Sequence, residues 1–116
     1  MKRGEIYTAN LNPNRGAEIG KIRPVLILQA DWLNAVNTIK TVIVLPLTSQ
    51  VDPSCSILHP IVKARGQLKE DSQVVVEQPR TLDRRRLGQG PLATLSQLEM
   101  IAVEQSLLTI LGLNIS

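Results

Sequence analysis

The runs Pro24-Val25-Leu26-Ile27-Leu28 and Thr41-Val42-Ile43-Val44-Leu45-Pro46-Leu47 decide the fold. Each is continuously apolar, short and rich in β-branched residues, the pattern of a buried strand. Pro46 falls near the end of its run, where an edge or a bulge tolerates a missing N–H. The link from Ala30 to Lys40 holds Trp32 and two asparagines and suits a short helical turn. If the two strands pair antiparallel, a register that sets Leu28 opposite Ile43 also sets Arg23 opposite Thr48. A guanidinium and a hydroxyl then meet at one end of the sheet.

Working outward, Glu5 to Leu11 alternates loosely, with Ile6, Ala9 and Leu11 apolar, and reads as a further strand. Asn12-Pro13-Asn14-Arg15-Gly16 is turn chemistry, so residues 12–22 are expected to form a polar, mobile loop. Ile57 to Ala64 and Gln73 to Glu77 are two more strand candidates. Thr81 to Leu87 reads as a short turn or one-turn helix. The period changes at the C-terminus. Ser96-Gln97-Leu98-Glu99 is a capping box, in which the serine and the glutamate each satisfy an orphan N–H. Met100, Val103, Leu107, Ile110 and Leu111 follow on one helical face, with Ile101 and Leu108 off the stripe and Gly112 as C-cap. About five strands and one amphipathic helix give an α+β fold on a small, strongly bent sheet.

The length of 116 residues fits one domain, 1–116. Hydrophobic residues at 43% and charged residues at 20% place it among globular chains. With one Trp, one Tyr and no Phe, the core rests on Val, Ile and Leu, and base-stacking aromatic platforms are disfavoured. The single Cys55 cannot pair internally, and no stretch resembles a signal peptide or approaches the roughly 20 apolar residues of a membrane span. A cytoplasmic, reduced, soluble protein is expected. The net charge of +3 suits a polyanionic partner. Its distribution says more: Arg80, Arg84, Arg85 and Arg86 cluster, and Arg15, Lys21 and Arg23 flank the first loop. Either group suits phosphates or a solvated face.

Conventional catalytic kits are missing. One His and one Cys build no structural zinc site, there is no Gly-rich phosphate loop, and no cofactor is expected. His59, between Leu58 and Pro60, reads as a structural or surface histidine rather than a base, and Cys55 as a spectator. What remains is polar residues at strand ends: Glu18, Lys21 and Arg23; Thr48, Ser49 and Gln50; Glu77, Gln78 and Arg80. These have an ordinary reading as the solvated mouth of a barrel. They also suit RNA cleavage, because RNA carries its own nucleophile in the 2′-hydroxyl. The protein then has only to hold the phosphate in line, balance its charge and help protons move. Arginine suits the charge role through its planar fork. As a base it is poor, with a pKa above about 12. Glu18 is the chemically better acceptor.

Three ordered blocks resemble a known family. Arg3-Gly4-Glu5-Ile6-Tyr7, Asn10-Leu11-Asn12-Pro13, Gly16, Glu18-Ile19-Gly20-Lys21 and Arg23-Pro24-Val25-Leu26-Ile27 are similar to the N-terminal block of MazF/PemK toxins. Pro46-Leu47-Thr48-Ser49 resembles the second block. Asp71-Ser72-Gln73-Val74-Val75-Val76-Glu77-Gln78 with Arg80-Thr81-Leu82-Asp83 and Arg86-Leu87 resembles the third. The resemblance implies the SH3-like barrel of plasmid-maintenance toxins. It implies a metal-independent, sequence-selective endoribonuclease on single-stranded RNA that leaves a 2′,3′-cyclic phosphate or 3′-phosphate and a 5′-hydroxyl. It also implies a homodimer restrained by a cognate antitoxin that covers the RNA groove. On it, Arg23 is catalytic, Thr48 stabilises the transition state, and Glu18, Glu77 and Gln78 bind RNA. Lys21 and Arg80 join the RNA-binding set on charge. The loop after Pro13 departs from the family, carrying Asn14-Arg15 where many relatives have an apolar or aromatic residue, so base choice stays open there.

Two alternatives share this fold. A gyrase-poisoning toxin of the CcdB kind carries a tryptophan in its C-terminal tail, whereas the only tryptophan here is Trp32. An RNA-binding barrel without catalysis is disfavoured by Arg23 and Thr48 but compatible with the rest.

Overall fold

The structure, a computed structural model, describes residues 1–113. The two decisive runs become β2 (Ile22–Ile27) and β3 (Thr41–Thr48), joined through a one-turn helix α1 (Asp31–Asn34). They pair antiparallel with Val25 opposite Pro46, Leu26 opposite Leu45 and Ile27 opposite Val44. This is the register expected from Leu28 and Ile43, and the Leu28 N–H donates to the Ile43 carbonyl at 3.1 Å. β1 (Glu5–Asn10) lies on the other side of β2.

The continuous apolar character of Val25–Ile27 and Val44–Leu47 has a direct cause: both faces are covered there, whereas the start of β3 alternates and leaves Ile43 exposed. Leu26, Leu45 and Leu47 join a core with Ile6, Val74, Met100 and Val103. Val25, Ile27, Val42 and Val44 point the opposite way into a second core with Ala9, Leu11 and Leu82. A strand buried on both faces loses the polar alternation that marks a half-exposed one.

The remaining strands are β4 (Ile61–Val62), β5 (Ser72–Val74), β6 (Arg80–Asp83) and β7 (Ala93–Thr94). They make a seven-stranded curled sheet in the order β4-β5-β3-β2-β1-β7, with β6 also on β3. β3 belongs to both halves of the curl. Its 41–44 stretch pairs with β6, and Leu47 and Thr48 pair with β5. Pro46 sits between these two ladders, where one partner has left and the next has not begun. The site is buried, and the proline's missing N–H leaves no gap in either ladder.

Three expectations change. Ile57 to Ala64 is strand only at Ile61–Val62. Upstream, the Asp52 carboxylate accepts from the Ser54 N–H and Pro53 opens a single 3-10 turn, Pro53–Cys55, as expected of a capped Asx-Pro start. Gln73 to Glu77 shortens to β5, because the Gln78 N–H turns back to the Val75 carbonyl. Thr81 to Leu87 is half strand: β6 finds a distant partner in β3 before the 3-10 turn Arg84–Arg86. β7, too short to show a pattern, pairs with Glu5 and Ile6 of β1.

The C-terminal helix α2 (Gln97–Ile110) closes the first core with Met100 and Val103 buried and Leu107 and Ile110 against them. The capping box is formed as expected. At the other end, Gly112 takes φ +71°, and the N–H groups of Gly112 and Leu113 donate to the carbonyls of Thr109 and Leu108. That is the paired closure of a Schellman ending. Leu111 does not join the buried face and is 55% exposed. The buried Ser106 takes a place on it instead, its hydroxyl donating to the Leu58 carbonyl.

Glu99 serves two structures at once. Beyond the cap, it receives both arms of the Arg65 guanidinium, each at 2.7 Å, which tethers the β4–β5 connection to α2. The Arg65 fork holds the Glu99 carboxyl down at about 2, well below its ordinary value. A lowered folded-state pKa contributes stability that is present above the ordinary carboxylate range and lost as pH falls toward 2. Glu99→Gln is therefore expected to lose about 2 kcal/mol near neutrality. It is also expected to flatten the fall in stability between pH 5 and pH 2, read by denaturant melts at each pH. An unaltered pH profile would show that the Arg65 fork contributes nothing.

Candidate active site

The β2–β3 ladder ends at Val25 and Pro46. Two residues further along the same register line lie Arg23 and Thr48. Arg23 is paired through its backbone with Ala9 of β1, and Thr48 with Gln73 of β5. The two strands diverge here because β3 has turned to join the other half of the sheet. Two cavities flank the divergence. Pro46 lines the larger, Leu47 and Ser49 the smaller.

The larger cavity, about 610 Å³, is bordered by Arg15, Glu18, Glu77, Gln78 and Arg80. Its cations and carboxylates balance. Most of its polar groups are engaged with the loop between β1 and β2. The Gln78 amide accepts from the Ile19 N–H at 2.9 Å and donates to the Ala17 carbonyl at 3.4 Å. The half-buried Arg80 guanidinium donates to the carbonyls of Leu11 at 2.6 Å and Pro13 at 3.4 Å. Glu18 accepts from the Arg15 N–H at 2.7 Å. The loop expected to be mobile is thus pinned along its length. Lys21, with φ +68°, turns the chain back into β2, and its N–H donates to the Asn12 side chain at 2.9 Å. Its own side chain is exposed.

The smaller cavity, about 310 Å³, contains Arg23, Ser49, Gln67, Lys69 and Glu70. The Arg23 guanidinium makes one long contact, Nε to the Gly20 carbonyl at 3.4 Å, so the rest of its fork is free among the described residues. The Thr48 hydroxyl oxygen accepts from the Gln50 N–H at 3.1 Å. That bond orients the hydroxyl and leaves its proton available to a ligand.

Two neighbours carried no functional reading in the sequence. His59 Nε2 lies 2.6 Å from Glu77 Oε1, placing the lone histidine behind a residue that borders the larger cavity. Gln73 is 2% exposed, and its amide binds Asp52 N–H, Asp52 C=O and His59 C=O. It staples both ends of segment 52–59 beside Thr48. A lone amide before Val74-Val75-Val76 was the available signal.

The arginine cluster has a use that neither sequence reading anticipated. Arg84 donates to the carbonyls of Asn34 and Thr41, and Arg86 to that of Asn12. Arg85 pairs with Asp83, whose carboxyl it holds at about 2. Two of these three guanidiniums thus close backbone carbonyls of neighbouring segments.

A curled antiparallel sheet closed by one C-terminal helix makes a small α+β half-barrel, with Arg23 and Thr48 where two of its strands diverge. The family described as PemK-like, MazF-like toxin of type II toxin-antitoxin systems matches residues 2–111, and the chain belongs to it. Endoribonuclease MazF of Staphylococcus epidermidis is 40% identical over 115 residues, which is 98% of this chain and 93% of that protein. A crystal structure of MazF from Deinococcus radiodurans superposes with a TM-score of 0.80 at 24% identity, covering 97% of this chain and 96% of its own. A MazE–MazF complex from the same organism gives 0.74 at 25% identity over 98% and 97%. No helix among the described residues is long and apolar enough to cross a membrane.

Proposed function

We propose that the chain acts as one toxin domain, 1–116, that cuts single-stranded RNA at selected sequences by transesterification. The observation that carries this reading is the register of β2 on β3, which puts Arg23 and Thr48 on one line where the strands diverge, in a chain of this family. The 2′-hydroxyl attacks the adjacent phosphorus, the 5′-oxygen departs, and a 2′,3′-cyclic phosphate and a 5′-hydroxyl remain. Arg23 holds the non-bridging oxygens with its free fork as charge grows on them, and the Thr48 hydroxyl donates a further hydrogen bond. Glu18, Glu77 and Gln78 meet base edges in the larger cavity, where a carboxylate accepts from amino groups and an amide offers a donor beside an acceptor. Arg80 adds positive charge along that rim while fixing the loop, and the exposed Lys21 adds it at the start of β2.

The mechanism asks nothing of a metal or cofactor. The protein works as a cytoplasmic homodimer, and a cognate antitoxin silences it by covering the RNA groove. A fluorescent RNA held single-stranded is expected to be cut in the presence of EDTA, and the same strand annealed into a duplex to be spared. Equal cutting of both forms would remove the single-strand reading.

A further inference from the structure

The two cavities differ in charge and in what their side chains are doing. Around the larger one, cations and carboxylates balance: Gln78, Arg80 and Glu18 are bonded to the β1–β2 loop, and Arg15, whose guanidinium has no partner among the described residues, shares the lining with two carboxylates, Glu18 and Glu77. Around the smaller one there is one cation in excess, from Arg23 and Lys69 against Glu70. Lys69 is exposed, and among the described residues its ammonium has neither a carboxylate partner nor a hydrogen bond. The same holds for the side chains of Ser49 and Gln67. A phosphate binds where guanidinium and ammonium groups are free; a base edge binds where carboxylates and amides line the wall.

The geometry points to the smaller cavity as a second nucleotide subsite. In it Lys69 binds an RNA phosphate next to the scissile one, while Ser49 and Gln67 offer hydrogen bonds to the sugar or base of that nucleotide. This assignment rests on the proposed ribonuclease reading. A strand being cut must lie on both sides of the scissile phosphate. The larger cavity receives only one side, and Arg23 opens onto the other. The volume of about 310 Å³ is of nucleotide size. Substrate then runs from base readout at Glu77 and Gln78, across Arg23 and Thr48, to a phosphate anchor at Lys69.

The test uses an RNA with a 2′-deoxy sugar at the cleavage position, so that binding is read without cutting, alongside kinetics on the cleavable strand. Lys69→Gln is compared with Lys40→Gln, which removes a lysine bonded only to the Asn37 carbonyl at the far end of β3. For Lys69→Gln, KM is expected to rise about 3- to 10-fold with kcat little changed. The slope of log affinity against log salt is expected to fall by about 0.7, the loss of one single-strand phosphate contact. Lys40→Gln should leave both unchanged. An unaltered salt slope in Lys69→Gln, or an equal loss in both variants, overturns the subsite. If neither wild type nor Lys40→Gln cuts the cleavable strand, the ribonuclease reading fails instead, and the salt slopes on the deoxy strand still decide the role of Lys69. Absence of RNA binding by the wild type overturns both.

Discussion

Arg23→Ala is expected to lower RNA cleavage by about 100-fold or more, the usual cost of removing a main electrostatic contact to a developing charge. The fold is expected to survive. Arg23 is half-buried, and its side chain contributes one long hydrogen bond to the protein itself, at 3.4 Å to the Gly20 carbonyl. A melting temperature within about 3 °C of wild type is therefore expected. Arg23→Lys separates charge from geometry: the ammonium keeps the charge but cannot pair two phosphate oxygens as a planar fork does. Single-turnover rates are expected to rank wild type, Lys, Ala, with Lys about tenfold below wild type. Wild-type rates in Arg23→Ala would take Arg23 out of the site.

The second large effect is on stability. Gln73→Leu keeps the volume of a side chain only 2% exposed but removes three hydrogen bonds, to Asp52 N–H, Asp52 C=O and His59 C=O. Each backbone group left without a partner costs about 1–3 kcal/mol, less where water reaches it. A loss of about 3 kcal/mol follows, or roughly 12 °C or more in melting temperature for a domain of this size. Because Gln73 holds the segment that leads from Thr48 to His59, cleavage is expected to weaken as well, but less than in Arg23→Ala. A thermal melt within about 3 °C of wild type would show that segment 52–59 is held by other contacts, such as that of Ser106 to Leu58.

Local sequence specified the centre of the fold more fully than its margins. The β2 and β3 runs, their antiparallel register and the Ser96–Glu99 capping box rest on short-range signals, and each is formed. β6 and β7 are different. Arg80–Asp83 carries three charged or polar residues and one buried leucine, Leu82, and becomes a strand only because the 41–44 stretch of β3 offers it an unpaired edge. Non-local pairing overrides weak propensity there. Segment 57–60 shows the reverse, an apolar-looking stretch diverted by the Asp52–Pro53 cap.

The candidate site is legible in the sequence as a set of residues, not as an arrangement. Arg23, Thr48, Glu18, Glu77 and Gln78 stood out by chemical type and by family resemblance. Nothing in the spacing reveals that Arg23 borders the smaller cavity while Glu18, Glu77 and Gln78 border the larger. Nor did the arginine count reveal that Arg80, Arg84 and Arg86 close carbonyls of the chain itself. A buried carbonyl without a partner is costly, and a guanidinium with five donors satisfies several at once. Charge clustering in sequence cannot distinguish that duty from phosphate binding. His59 reads in the sequence as structural; its contact with Glu77 depends on segment 52–59 folding back, which Gln73 and Ser106 hold through long-range hydrogen bonds no local pattern reveals.

The most direct test is to map cleavage sites and end chemistry on a long defined RNA in EDTA, using wild type beside Arg23→Ala. Cuts are expected at a restricted set of sequences within unpaired regions. The fragments should carry 5′-hydroxyl and 2′,3′-cyclic phosphate or 3′-phosphate ends, and Arg23→Ala should yield almost none. An absolute requirement for Mg²⁺, or fragments with 5′-phosphate and 3′-hydroxyl ends, would contradict it, because attack by the RNA's own 2′-hydroxyl cannot produce them.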